Sequence, residues 1–208
     1  MFVILFLGLV TCSQQTMAQA ATDDVSPSTQ RDKKNDGFDL ETRLYFIVLS
    51  NREASDVKLP AELDPVIKQM KSSLAFKSQR LAVTLVNRVK NNGRLNLKWI
   101  GGPLPASGAS TAATPTFNEF SIGLIDAVGD AGEPWIIRVS RFGFWSRIPV
   151  QTSVPGGIGG GIGVVNYEPI GLSSDFSMRE GQPVLLGTLS VDTSGDAIVL
   201  AMSAKRAN

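Results

Sequence analysis

The sequence predicts a β-rich α+β fold, with a β-α-β-β N-terminal part followed by an antiparallel sheet or β-sandwich. Three observations predict it. Short apolar runs with two-residue alternation recur from residue 40 to residue 204. One stretch, residues 59–75, carries a helical period. Clusters of Gly, Asn, Asp and Pro separate the runs. A chain of 208 residues suffices for one ordinary domain or two very small ones.

Residues 40–49 (LETRLYFIVL) place Leu40, Leu44, Phe46 and Val48 on one face and become apolar on both faces at their end. They read as a strand entering a core. In the helical stretch, Asp64-Pro65 offers an N-cap acceptor followed by proline at the first helical position, where its missing N–H costs nothing. Leu63, Val66, Ile67, Met70 and Leu74 then share one face, with Lys68 and Lys71 pointing away.

Residues 76–90 fit two periods. Leu81, Val83, Leu85 and Val89 alternate, while Leu81, Leu85 and Val89 also suit a helix. The longer two-residue run and the β-branched content favour a strand. Asn91-Asn92-Gly93 is a turn signal, and Leu95, Leu97 and Trp99 alternate after it, so a hairpin is expected here. Residues 101–115 (GGPLPASGASTAATP) read as a low-complexity loop or linker.

Six further strands are expected, at 117–125, 135–145, 164–167, 170–178, 184–191 and 197–204. Residues 179–182 and 192–196 read as hairpin turns. Residues 116–208 are expected to pack with residues 38–100 as one domain.

Residues 1–11 (MFVILFLGLVT) form an uncharged apolar run. It is shorter than the roughly 20 residues of a membrane-spanning helix. A small-x-small pattern, Ala18-Gln19-Ala20, follows. This is the layout of a secretory signal peptide over residues 1–20. Export to the periplasm or the extracellular space is therefore expected. Cys12 ends the apolar run in a loose lipobox (Leu9-Val10-Thr11-Cys12) and is the lipidation candidate, the alternative being a lipoprotein anchored there. Residues 21–37 are polar and aperiodic and read as a disordered tether.

Formal net charge is +1, so no strong field draws nucleic acid, and none is expected as a partner. The charge is uneven. Residues 31–98 hold 14 Lys and Arg against 8 Asp and Glu, whereas residues 99–208 hold 6 against 9. The basic half reads as a solvated face.

The sequence contains no histidine, and Cys12 is its one cysteine. That composition excludes Ser-His-Asp and Cys-His nucleophiles, histidine acid–base catalysis and the usual zinc or iron sites. No cofactor is expected. Ser203-Ala204-Lys205 lies in the last strand and reads as structural. Asp126, Asp130 and Glu133 form a carboxylate cluster in a turn-rich stretch, the weak Ca²⁺ candidate, although EF-hand spacing is absent. Residues 156–163 (GGIGGGIG) match no dinucleotide or phosphate-loop spacing and read as a loop.

Three stretches resemble known proteins. Residues 59–89 (LPAELDPVIKQMKSSLAFKSQRLAVTLVNRV) and 179–205 (REGQPVLLGTLSVDTSGDAIVLAMSAK) are similar to a family of uncharacterised exported bacterial proteins of acidobacterial type. Residues 166–178 (NYEPIGLSSDFSM) resemble a segment of the pore-domain β-module of type II and type III secretins, with Ser177-Met178 in place of the usual strand ending. The first resemblance implies an exported α+β protein. The second implies a shared β-module. Neither brings a catalytic motif.

Residues 135–147 (WIIRVSRFGFWSR) hold the partner-binding candidates. Arg138, Phe142 and Phe144 read onto one face, and Trp135, Arg141 and Trp145 onto the other. Alternating arginine and aromatic side chains are what recognition surfaces use. The bland alternative is a core strand with arginines reaching solvent. The expected function is a non-catalytic envelope accessory or assembly module that binds a protein partner, with membrane contact only through the leader or a lipid anchor. Alternatives are a secreted carbohydrate- or ligand-binding domain and a carboxylate-dependent hydrolase.

Overall fold

The computed structural model describes residues 37–51, 59–102, 115–130, 132–152, 164–190 and 196–207. The expected signal peptide with Cys12, nearly all of the expected tether, most of the expected 101–115 loop, residues 156–163 and most of the expected 192–196 turn lie outside the described residues.

Among the described residues are eight strands and one α-helix. They are β1 (Asp39–Ser50), α1 (Asp64–Ser73), β2 (Ser78–Lys90), β3 (Gly93–Ile100), β4 (Phe117–Val128), β5 (Ile136–Thr152), β6 (Val164–Arg179), β7 (Val184–Ser190) and β8 (Ala197–Arg206). Two four-stranded antiparallel sheets result, in the orders β2-β1-β8-β7 and β3-β4-β5-β6. The protein is β-rich α+β, as expected, with the sheets packed as a sandwich.

The main core lies between the sheets. Leu40, Leu44, Phe46 and Val48 of β1 and Ile198, Leu200 and Met202 of β8 meet Phe120, Ile122, Phe142 and Phe144 of the other sheet. Phe46 and Phe144 meet edge-on at 5.1 Å, the geometry that ring quadrupoles favour. On the other face of the first sheet, Tyr45, Ile47, Leu49, Val199 and Ala201 pack against Leu63, Val66 and Met70 at the helix. This explains why β1 and β8 are apolar on both faces: each is the middle of three layers.

The helix needs that support, since ten residues are too few for a stable isolated helix. Its expected cap is different. A 3₁₀ turn, Ala61–Leu63, leads in, so Asp64 sits inside the first turn and Leu63 takes the cap position without a side-chain bond. A polar latch holds this turn instead. The buried Tyr45 hydroxyl donates to Glu62 Oε1 (3.0 Å) and meets Ser203 Oγ (3.2 Å). Arg43 bridges Glu41 and Glu62.

Three sequence expectations are corrected. First, β2 and β3 do not form a hairpin: β2 pairs with β1, and β3 pairs with β4. Asn91-Asn92-Gly93 is a corner between the sheets. Asn92 takes a left-handed conformation (φ 60°), which Asn tolerates, and Asn91 Oδ1 accepts from the Ala127 N–H (2.9 Å). Second, residues 179–182 form the opposite corner, carrying the chain from β6 to β7, which lie in different sheets. Gly181 (φ 76°) makes that turn. Third, 164–167 and 170–178 are one strand. Pro169 is tolerated because β6 is a sheet edge, where its missing N–H costs no ladder bond.

Candidate functional site

The aromatic-arginine strand is β5, and a bulge decides which side chains it exposes. Pairing with β6 jumps between Val139 and Phe142. Arg141 there is left-handed (φ 54°), and its N–H donates to Asp175. The bulge resets the two-residue alternation. Arg138 therefore points outward while Phe142 and Phe144, both 0% exposed, point into the core. The expected grouping of Arg138 with those two rings is overturned, and neither ring can meet a partner.

The remaining candidates divide. Trp135 lies just before β5 and is a structural clamp, meeting Phe38 edge-on at 5.3 Å with Arg206 4.6 Å over its ring. Arg138 is spent on Asp126, through Nε (3.1 Å) and Nη2 (2.6 Å). Arg141 lies over Gly123. Trp145 is 50% exposed on the outer face of its sheet.

The calcium candidate does not assemble. Asp126 is neutralised by Arg138, and Asp130 and Glu133 lie in the following turn. Among the described residues, no three His, Cys, Asp or Glu side chains gather as a metal group.

Trp145 stands in a patch that the sequence reading did not identify. Register places Lys98, Glu119, Trp145 and Gly171 in one row across the sheet, and Ile100, Phe117, Arg147 and Pro169 in the next. Beyond that row β4 ends, while β5 and β6 continue paired as a two-stranded ribbon to Thr152 and Val164. Val165 and Tyr167 ride on this ribbon, and Tyr167 meets Phe117 at 5.4 Å. Ile100 (67%), Phe117 (42%), Val165 and Tyr167 are all exposed. An open cleft of about 700 Å³ runs between Trp145, Ile100, Phe117 and Pro169.

The signal for these residues is phase. Leu95, Leu97 and Trp99 set the inward phase of β3, so Ile100 falls outward. Phe120 and Ile122 set it for β4, which puts Phe117 outward. An apolar residue out of phase with its own strand is a surface residue.

The polar side chains beside the cleft are already engaged. Asn118 Nδ2 donates to the Gly101 carbonyl (2.7 Å), and the Ser146 hydroxyl donates to Asn118 Oδ1 (2.8 Å). Glu119 accepts from Asn96 and pairs with Lys98 (3.3 Å), and these bonds hold its carboxyl below the usual range. Arg147 differs. It is exposed and has no ion-pair or hydrogen-bond partner among the described residues.

No protein-family model matches the chain, and no curated protein matches it. Among solved structures it is weakly similar to the InvG secretin domain β-barrel from the Salmonella SPI-1 injectisome NC-base. The TM-score is 0.39 with 8% identity, over 83% of this chain and 64% of that one. The chain thus spans less than two thirds of the structure it matches. Among the described residues, no helix is long and apolar enough to cross a membrane.

Proposed function

We propose that this chain is a non-catalytic, exported envelope module that docks a protein partner on the outer face of the β3-β4-β5-β6 sheet. One observation carries the reading: five large apolar side chains, Ile100, Phe117, Trp145, Val165 and Tyr167, stand exposed at one end of that face, with Leu124, Val128 and Ile136 exposed toward its other end, whereas the remaining strand aromatics are buried or half-buried. Exposed apolar area rimmed by polar groups marks interaction sites, and Trp, Tyr and Arg dominate interface energetics. The apolar leader supports export. The likeness of residues 166–178 to a secretin β-module is in keeping with work in the envelope.

Exposed Trp145 beside a cleft also favours a glycan-binding reading, because an aromatic face can stack on a sugar. A sugar additionally needs donors and acceptors for its hydroxyls. Asn118, Ser146, Glu119 and Lys98 are engaged with one another, with Asn96 and with the backbone, which leaves Arg147, and an arginine offers donors but no acceptor. The apolar character of the patch therefore favours a protein.

The test is affinity capture from the native envelope with the tagged wild type and with a Phe117→Ser, Trp145→Ser variant. A specific protein recovered by the wild type and lost with the variant is the expected result. Equal recovery by both, or strong wild-type binding to a glycan array with no protein recovered, overturns the proposal.

A further inference from the structure

We infer that Arg147 is the carboxylate anchor of this surface, so that the docked partner presents an acidic residue flanked by apolar ones. The inference rests on the docking reading above and adds the chemistry of the partner.

Three observations carry it. Arg147 is the cross-strand neighbour of both Phe117 and Pro169, and it lies two residues from Trp145 on the same strand. Arg147 thus lines the cleft beside Ile100, Phe117, Trp145 and Pro169. The other cation lining the cleft, Lys98, is paired with Glu119. Arg147 has no counter-charge among the described residues. When a partner covers the cleft, an unpaired cation there loses its water, which is costly unless an anion arrives with the partner. A carboxylate supplies it, and the planar fork of arginine accommodates one with two parallel bonds. Trp145, Phe117 and Ile100 then cover the apolar residues on either side of that carboxylate.

The probe is a random 12-residue phage-displayed peptide library. It is selected in parallel on full-length wild type, Arg147→Glu, and the Phe117→Ser, Trp145→Ser variant, each checked for native circular dichroism. The wild type is expected to enrich peptides with Asp or Glu between apolar residues, and Arg147→Glu to enrich Lys or Arg at that place. A synthetic wild-type-selected peptide should bind Arg147→Gln about tenfold or more weakly, the usual value of a charged hydrogen bond. Its affinity should also fall with salt. If wild type and Arg147→Glu select the same peptides, and the double variant selects none, the carboxylate anchor is wrong and the docking surface stands. If the wild type and the double variant enrich alike, or the wild type enriches nothing, both fail.

Discussion

Trp145 lies against Gly171, its register partner on β6: a Cβ built at Gly171 would fall 2.4 Å from the indole Cε3 and 2.4 Å from the Phe144 carbonyl oxygen. The glycine is therefore the floor on which the indole rests. A side chain at 171 must lift the indole and strain β5. Gly171→Ala should cost about 1–3 kcal/mol, the usual penalty for overpacking. It should also shift tryptophan emission, since Trp145 moves relative to solvent. Urea melts and fluorescence spectra of the variant check both outcomes.

Adjacent residues on β5 should behave oppositely. Phe144 is fully buried and touches Phe46 and Trp99. Phe144→Ala should cost about 3–5 kcal/mol. Trp145→Ala, on the outer face, should cost less than about 1 kcal/mol. Denaturant midpoints of the two variants, measured side by side, give the contrast.

Acid should weaken the β6–β7 corner. Burial tends to raise the Glu180 pKa, but bonds from the Arg206 side chain and backbone, with the Arg206 charge, outweigh it and hold the carboxyl below its usual value. A lowered folded-state pKa gives stability that is complete above the ordinary glutamate pKa and is lost as pH falls from there through the lowered value. Unfolding midpoints followed from about pH 6 to about pH 2 should decline, and Glu180→Gln should make the decline shallower.

The Tyr45 latch should show in a conservative change. Tyr45→Phe keeps the ring among Ile47, Leu63 and Val199 but removes the bonds to Glu62 and Ser203. A loss of about 1 kcal/mol is expected, with the buried Ser203 hydroxyl left wanting a partner. Hydrogen exchange at residues 61–73 should speed up more than exchange in β4, which locates the loss at the helix.

Local pattern made much of this fold legible and long-range pairing made the rest illegible. The apolar-on-both-faces runs of β1 and β8 and the helical face from Leu63 to Leu74 are written in the residues themselves. Asn91-Asn92-Gly93 is a turn signal whether the next strand pairs back or crosses to another sheet. The choice is made by β4, which takes β3 as the edge of the second sheet and leaves β2 an edge of the first. In the candidate site, the sequence marks Trp145 only as one of six candidates on the aromatic-arginine strand. Phe142 and Phe144 were misplaced because one extra residue at the Ser140-Arg141 bulge inverts every side chain after it. Ile100, Phe117 and Tyr167 come together only through the register of β3, β4 and β6.

The most direct measurement of the central claim is site-specific photocrosslinking in the cell that makes the protein. Benzoylphenylalanine is placed at Phe117 on the patch and, as a control, at Val86, which is 57% exposed on β2 of the other sheet. The outer-face account predicts one discrete adduct to another polypeptide from position 117 and none from position 86. No adduct from 117, or the same adduct from both positions, would contradict it.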